Sequence, residues 1–320
     1  MPETLENVDA ALRFPQRPSL AKSRRSRLWQ RCLLGGISPL RLFGPSVRGA
    51  AGILTYHRVA NDVGPDPMML NVSPRRFRQQ IAGLLHLGYK PLPLRSLIET
   101  HRQQQPFAPR SFAIVFDDGY SDNFRNAWPV LRELHVPATI FLATRYLDSD
   151  ERFPFDNWSQ DAAATARPLS TAECYEMFGA GLIELGSHTH GHTDFRGRPA
   201  EFRQDLQRSL DVLRESFGIE TPTFSFPFGF TSPELVAVAR ELGLSCGLTT
   251  DCQTLSAHDD PFHWGRFGAI DLDTAWTLAA KLDGWYSTCQ NAWRAVRRRD
   301  SGPTAADTTT TTTRCPIATR

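Results

Sequence analysis

One arrangement recurs along this chain and limits the folds open to it. A short apolar, β-favouring run breaks off in glycine or polar residues and is followed by a stretch with helical periodicity. Such runs begin near Ile53, Phe112, Ala138, Leu182, Thr223, Ser245 and Phe267. The first helical stretch opens on Ser73-Pro74 and carries the stripe Phe77, Ile81, Leu84 and Leu85 as far as Gly88. Others run from about Leu94 to Thr100 and from Asn123 to Leu134. A Ser170/Glu173 capping box opens the next, and one from about Ala200 to Phe217 turns Leu206, Leu210 and Leu213 inward. Ser232-Pro233 opens a further helix ending at Gly243, and Asp273 caps the last of the series. Strands alternating with helices imply parallel pairing through right-handed crossovers. The expected fold is a single α/β domain, a distorted barrel of seven to eight β/α units resembling a TIM barrel, and 320 residues suffice for one.

The run Phe112-Ala113-Ile114-Val115-Phe116 ends in Asp117-Asp118-Gly119-Tyr120. Side chains alternate along a strand, so the two carboxylates start in different directions, and a turn at Gly119 can bring both to one cleft. One is then available to bind a cation and the other to move protons. An Asx turn ending a strand accounts for the same letters.

A second run, Leu182 to Leu185, leaves through Gly186 into Ser187-His188-Thr189-His190-Gly191-His192. His188 and His192 are four apart, a spacing that lets two imidazoles on one helical turn face a single ion. With one aspartate oxygen they make three protein ligands and leave positions open for water and substrate, the pattern of a catalytic zinc site. A solvated histidine-rich loop is the plainer alternative. Catalytic groups of β/α barrels sit at the carboxyl ends of strands, and both motifs fall there.

The order Phe-Asp-Asp-Gly-Tyr, then His-Thr-x-Gly-His-x-Asp about seventy residues later, then Phe226-Pro227-Phe228-Gly229, resembles the polysaccharide deacetylases of carbohydrate esterase family 4 across roughly Ile53 to Trp285. The resemblance implies a metal-dependent hydrolase that removes N-acetyl groups from an acetylated amino sugar or polysaccharide. It implies Asp117 as general base, Asp118, His188 and His192 as ligands of a divalent metal, and the backbone N–H of Phe228 as oxyanion donor, its loop fixed by Pro227 and Gly229. Zn2+ is the default for such a ligand set, with Co2+, Ni2+ or Fe2+ also fitting. His190 has no role in the pattern.

Two departures stand out. Where the family carries an arginine that pairs with the base, this chain has Ser225, and Arg266 is the candidate to replace it from the opposite side, a surface ion pair being the alternative. The late histidine that supplies the general acid in many members is absent. His57, in Tyr56-His57-Arg58 at the end of the first strand, is the candidate acid, with His263 as fallback. Tyr120, Phe228 and Trp264 are candidate platforms for a sugar ring, or core residues. Phe153, Phe155 and Trp158, in an aperiodic stretch, anchor their loop or stack on sugar. A related amidase on another N-acyl or imide substrate, and a carbohydrate-binding protein without turnover, are the competing functions.

Residues 1–50 form a basic lead-in: between Asp9 and Asp62 there is no acidic residue but ten Lys or Arg. Leu28, Trp29, Cys32 and Leu33 lie at helical spacing beside those arginines, a pattern that suits peripheral contact with an anionic membrane or simple packing on the domain. No window approaches the ~18 apolar residues of a transmembrane span, and no cleavable signal is evident, which leaves a cytoplasmic location as the default. The barrel domain is expected over 51–299. The tail, 300–320, follows Arg297-Arg298-Arg299 and contains a threonine run, Thr308 to Thr313, which reads as disordered. A net charge of +2 says little about partners, and no nucleic-acid module is recognisable, so no nucleic-acid partner is expected. Six scattered cysteines with no C-x-x-C pair indicate neither a thiolate zinc site nor a dense disulfide framework.

Overall fold

The structure, a computed structural model, describes residues 36, 38–61, 66, 68–153, 166–220 and 222–300. The amphipathic pattern around Leu28, the aromatics Phe155 and Trp158, and the tail beyond 300 lie outside the described residues. No helix among those described is long and apolar enough to cross a membrane.

Among the described residues, eight strands follow in chain order: β1 (Gly52–Tyr56), β2 (Arg58–Val59), β3 (Asn71–Val72), β4 (Lys90–Pro91), β5 (Ser111–Phe116), β6 (Ala138–Leu142), β7 (Ile183–Ser187) and β8 (Phe267–Gly268). Every ladder is parallel. The main sheet has the order β7-β6-β5-β1-β8, with β4 added along β5, while β2 and β3 pair separately. The expected strands near Thr223 and Ser245 are reduced to single parallel bridges, Ser187 to Phe224, Ser225 to Leu248 and Leu248 to Trp264. The extended ladders therefore leave the barrel open on this side, and isolated bridges carry the pairing toward β8, the distortion anticipated from the sequence.

The alternation of side chains explains why the strands are apolar throughout. Leu54, Tyr56, Phe112, Ile114, Phe116, Ile140 and Leu142 face outward into one core, shared with Phe77, Ile81 and Leu84 of the helix Pro74–His86. Their neighbours Ile53, Ala113, Val115 and Phe141 fall in a second core with Leu248 and Trp264, the barrel interior. The helix Leu94–Arg102 adds Leu94, Leu97 and Ile98 to that interior beside Ala51 and Phe107, which precede β1 and β5, and so closes the amino ends of the strands. The carboxyl ends are left for chemistry.

Some of the local signals hold and others do not. Ser170 and Glu173 form the capping box, and Ser232 caps the helix Pro233–Glu241. The stretch from Asn123 is not one regular helix: a π-helical turn over Asn123–Ala127 precedes the helix Trp128–Leu134, which begins with Pro129 near its start. Thr274, rather than Asp273, caps the helix Ala275–Leu282. Asp273 is buried and taken up by Lys281 Nζ at 2.6 Å and Thr277 Oγ1 at 2.8 Å. Cys174, Cys246 and Cys252 are free, and burial pushes the thiols of Cys174 and Cys246 up to about 12, which leaves both inert at neutral pH.

Candidate active site at the carboxyl ends of the strands

The β1–β5 ladder does not stop at Phe116. Asp117 N–H donates to Tyr56 O at 3.0 Å, one rung further, and fixes the first carboxylate against β1. Asp118 and Gly119 then take left-handed conformations, φ +74° and +84°, which swing the second carboxylate away from the first. Gly119 is required: at that φ a side chain is strained, and a Cβ would stand 2.8 Å from Leu142 Cδ2.

The two carboxylates meet different neighbours. Asp118 Oδ1 lies 3.3 Å from His192 Nε2 and 3.6 Å from His188 Nε2, and those two nitrogens are 3.2 Å apart. All three residues are buried, and among the described residues they are the one set of this kind able to hold a metal ion. The histidines do not lie on a helical turn. Residues 188–192 form a loop in which Thr189 and His192 adopt φ +67° and +52°, and this backbone, not a helix, brings the imidazoles together. His188 Nδ1–H donates to Ser225 O at 2.7 Å, which orients the ring and leaves the Nε2 lone pair toward Asp118. Burial, against the opposing pull of Asp117, lowers the pKa of His188, and burial with the neighbouring His188 lowers that of His192 well below its ordinary value. Both rings are therefore neutral at neutral pH, the form that ligates metals.

Asp117 faces the other way. Arg266 Nη1 donates to its Oδ1 at 2.7 Å, both side chains being nearly inaccessible, and Arg266 Nε donates to Thr249 O at 2.9 Å. Arg266 thus reaches Asp117 from the position just before the last strand. Burial alone would raise the Asp117 pKa, but the guanidinium of Arg266, with His188 and His57 nearby, holds it well below the usual carboxylate range. His57 Nε2 stands 3.9 Å from Asp117 Oδ2 with its side chain 24% exposed, open to the same mouth. Burial lowers the His57 pKa to about 4 despite the attraction of Asp117. His263 does not approach the carboxylates; it is paired with Asp260 at 3.2 Å on a short turn ahead of the last strand.

Pro227–Gly229 forms a tight turn beside this cluster, with Phe228 and Gly229 at φ +57° and +66°. The Phe228 ring meets His192 edge-on at 4.7 Å and is half-buried, while Pro227 and Gly229 are buried. A Cβ on Gly229 would clash with Thr250 at 2.2 Å. Tyr120 and Trp264 are not platforms for a sugar. Both are completely buried: Tyr120 packs on Phe153 at 4.8 Å beneath the guanidinium of Arg58, and Trp264 fills the barrel interior against His101 at 5.4 Å. Phe153 anchors its loop, being also in contact with Tyr146 at 4.9 Å.

Sequence reasoning missed a set of supporting residues. Asp122 accepts from Val59 N–H at 3.0 Å and pairs with Arg58 at 3.0 Å, Asn123 Nδ2 donates to His57 O at 2.9 Å, and Asn126 Nδ2 donates to Val59 O at 2.7 Å. Together they fasten the backbone on both sides of His57. Their signal was the recurrence of Asp and Asn at 122, 123 and 126 soon after the carboxylate pair. His190, which had no role in the motif, turns its Nδ1 to Thr144 Oγ1 at 3.0 Å.

Residues 104–247 match the family model for polysaccharide deacetylase. That stretch holds Asp117, Asp118, His188, His192 and Phe228, while His57 and Arg266 lie outside it. The chain is 26% identical over 261 residues to a poly-beta-1,6-N-acetyl-D-glucosamine N-deacetylase of Staphylococcus epidermidis, covering 74% of this chain and 85% of that protein. To the enzyme of the same name from Staphylococcus aureus it is 25% identical over 225 residues, 68% of this chain and 73% of that one. Among solved structures, the deacetylase PplD of Streptococcus pyogenes superposes with a TM-score of 0.63 at 20% identity, over 74% of this chain and 99% of that one. IcaB of Ammonifex degensii gives 0.61 at 23%, with the same coverage, and both structures share the fold. With its motifs in order and its paired carboxylates and histidines gathered at the strand ends, this chain is similar to the polysaccharide deacetylases, whose family model it matches over residues 104–247.

Proposed function

We propose that this protein is a metal-dependent N-deacetylase that hydrolyses the acetamide of an acetylated amino-sugar polymer. One observation carries the reading: three separated side chains, those of Asp118, His188 and His192, converge on a point beside a fourth, the Asp117 carboxylate, which is kept ionised. His188 Nε2, with its lone pair turned to Asp118 Oδ1 only 3.6 Å away, sets two acceptors face to face. With no positive charge between them such groups repel, and a divalent cation bound by Asp118, His188 and His192 relieves it. The donor set of two neutral imidazoles and one carboxylate suits Zn2+, and Co2+, Ni2+ or Fe2+ also fit. When bound, such an ion polarises a carbonyl and acidifies water.

The chain's own groups divide the proton transfers. Asp117, ionised through Arg266, accepts the proton of the attacking water at Oδ2, the oxygen not taken by Arg266. The Phe228 turn, set by two left-handed residues, places its backbone N–H for the oxyanion that forms. Collapse expels the amine, which needs a proton, and His57 donates it. Because burial keeps His57 neutral at rest, that proton arrives during the cycle. Asp117, 3.9 Å away, holds one by then and is its source. Acetate and the free amino sugar leave with both groups restored.

Poly-beta-1,6-N-acetyl-D-glucosamine, named for the staphylococcal relatives, is the substrate to test first. The assay is acetate release from N-acetylglucosamine oligomers by the purified protein with each added metal, against an Asp117→Asn control. Release that requires metal and disappears in the control is expected; release equal in both proteins would overturn the reading.

A further inference from the structure

The loop that carries both histidines begins where the β6–β7 ladder ends. One rung past Ser187, from His188 N–H to Leu142 O at 2.9 Å, reaches the first histidine, and residues 189–192 have no ladder to hold them. Something else must fix the backbone between His188 and His192, since two of its residues occupy left-handed conformations that unstructured chains visit seldom. The helix Pro199–Phe217 supplies it. Asp205 Oδ1 accepts from His190 N–H at 2.7 Å and from Gly191 N–H at 3.2 Å, and Oδ2 accepts from Gly191 N–H at 3.0 Å. Residue 191 has to be small for this: a Cβ there would stand 3.0 Å from Asp205 Oδ2. On the other side, Thr144 N–H and Arg145 N–H donate to the carbonyls of Thr189 and His190 at 3.2 and 3.0 Å, and Thr144 Oγ1 meets His190 Nδ1. His190 is thereby the fastening point of the loop, which gives the unassigned histidine of the motif a structural role.

We propose that Asp205 is a positioning residue that sets the metal affinity of the Asp118, His188 and His192 site without touching the ion. Its carboxylate clamps the two amides between the ligands, so that both imidazoles are presented at 3.2 Å before a metal arrives. The inference rests on the proposed metal site. An anionic acceptor of three N–H contacts is worth more than a neutral one, so the isosteric amide is a graded probe. In Asp205→Asn one acceptor oxygen survives, and its new N–H2 opposes an amide donor; in Asp205→Ala every acceptor is lost.

The test needs no substrate. Zn2+ is titrated into the metal-free full-length protein in competition with a chromophoric chelator, and Co2+ absorption reports the geometry of the ligands. Asp205→Ala is expected to weaken Zn2+ about tenfold to a hundredfold, the range seen when outer contacts of a metal site are removed, with Asp205→Asn between it and the wild type. The Co2+ spectrum is expected to broaden, and the metal-induced rise in Tm to shrink more than the metal-free Tm falls. If Asp205→Ala does not fold, Asp205→Asn alone carries the test through its Kd. A wild-type protein that binds Zn2+, with variants of unchanged Kd whose metal-free and metal-loaded Tm fall equally, would overturn the inference and leave the metal site standing. A wild-type protein that takes up neither Zn2+ nor Co2+ would overturn both.

Discussion

The two halves of the site start from similar ladders and are held by different means beyond them. Asp117 and His57 extend from β5 and β1, which pair over five residues from Gly52 with Phe112 to Tyr56 with Phe116, and one more rung reaches Asp117 itself. β7 likewise pairs with β6 over five residues, and one more rung, His188 N–H to Leu142 O at 2.9 Å, reaches His188, but His192 lies beyond that ladder, and there side chains take over: Asp205 on two amides, Thr189 Oγ1 on His192 N–H at 3.0 Å, and Ser187 Oγ on Thr189 N–H at 3.1 Å. Where a ladder fixes the backbone, side chains are released for chemistry. Where it does not, they are spent on geometry. The proton-handling half should therefore respond to substitution in turnover, and the ligand half in metal affinity.

The largest effect expected is that of Asp117→Asn. Its backbone place is secured by the ladder and its partner Arg266 still finds an oxygen, so only the base is removed. Turnover should fall about 10³-fold, within the range for loss of a positioned general base, while Zn2+ uptake is unchanged. Loss of metal together with turnover would erase the division between the halves.

Next comes Arg266→Met, which leaves Asp117 buried without its cation. Removing one member of a buried pair costs about 3 kcal/mol or more, readable as a lower midpoint in urea unfolding of the metal-free protein. Pairing it with Asp117→Asn should restore part of that stability, because the stranded charge is then gone. A change below about 0.5 kcal/mol would mean that the contact at 2.7 Å is of the surface kind that contributes little.

How much of this was legible in the sequence follows the same boundary. Asp117 and Asp118 could be found because they end a run of apolar residues, and the carboxyl ends of strands are where barrels place reactive groups; Arg266 was legible only as a candidate for the arginine missing at Ser225. The convergence of His188 and His192 was legible from spacing, but its means was not: left-handed Thr189 and His192 leave no mark in a periodicity. Asp205 was invisible for a different reason. It sits between helical positions, and its partners are 14 and 15 residues away in the chain, so only the fold brings them together. Trp264 and Tyr120 were misread because an aromatic residue near a strand end resembles a sugar platform, whereas the barrel interior and the clamp around Arg58 claim both for their volume. The strands near Thr223 and Ser245 shrank to bridges because the closely spaced Phe224 and Phe226 pack into an outer core with Phe202 and Leu206, which holds the segment without a ladder.

His57→Ala bears on the proton half from the opposite wall. The fastening of its backbone by Asn123 and the Asp122–Arg58 pair does not depend on the ring, so the fold should be undisturbed. Turnover is expected to fall about 10²-fold with metal content intact, and more steeply for substrates with a poorly departing amine than for activated esters, which need no acid. Equal losses on both substrates would remove His57 from the protonation of the leaving group.

The finest division comes from two substitutions that each delete one buried hydrogen bond. Thr189→Val removes the acceptor of the His192 amide and keeps the shape of the side chain; Tyr56→Phe removes the contact of Tyr56 Oη with Gln80 Oε1 at 3.0 Å. Each should cost about 1 kcal/mol of stability in urea unfolding. If the halves are held as described, only Thr189→Val also weakens Zn2+, because His192 then loses part of what keeps its backbone left-handed, whereas Tyr56 lies within a ladder that holds Asp117 regardless. Equal Zn2+ affinity in the two variants would show that the ligand loop is fixed by Asp205 and the Thr144 contacts alone. Weaker Zn2+ in Tyr56→Phe would mean that the ladder and the ligand loop are one mechanical unit.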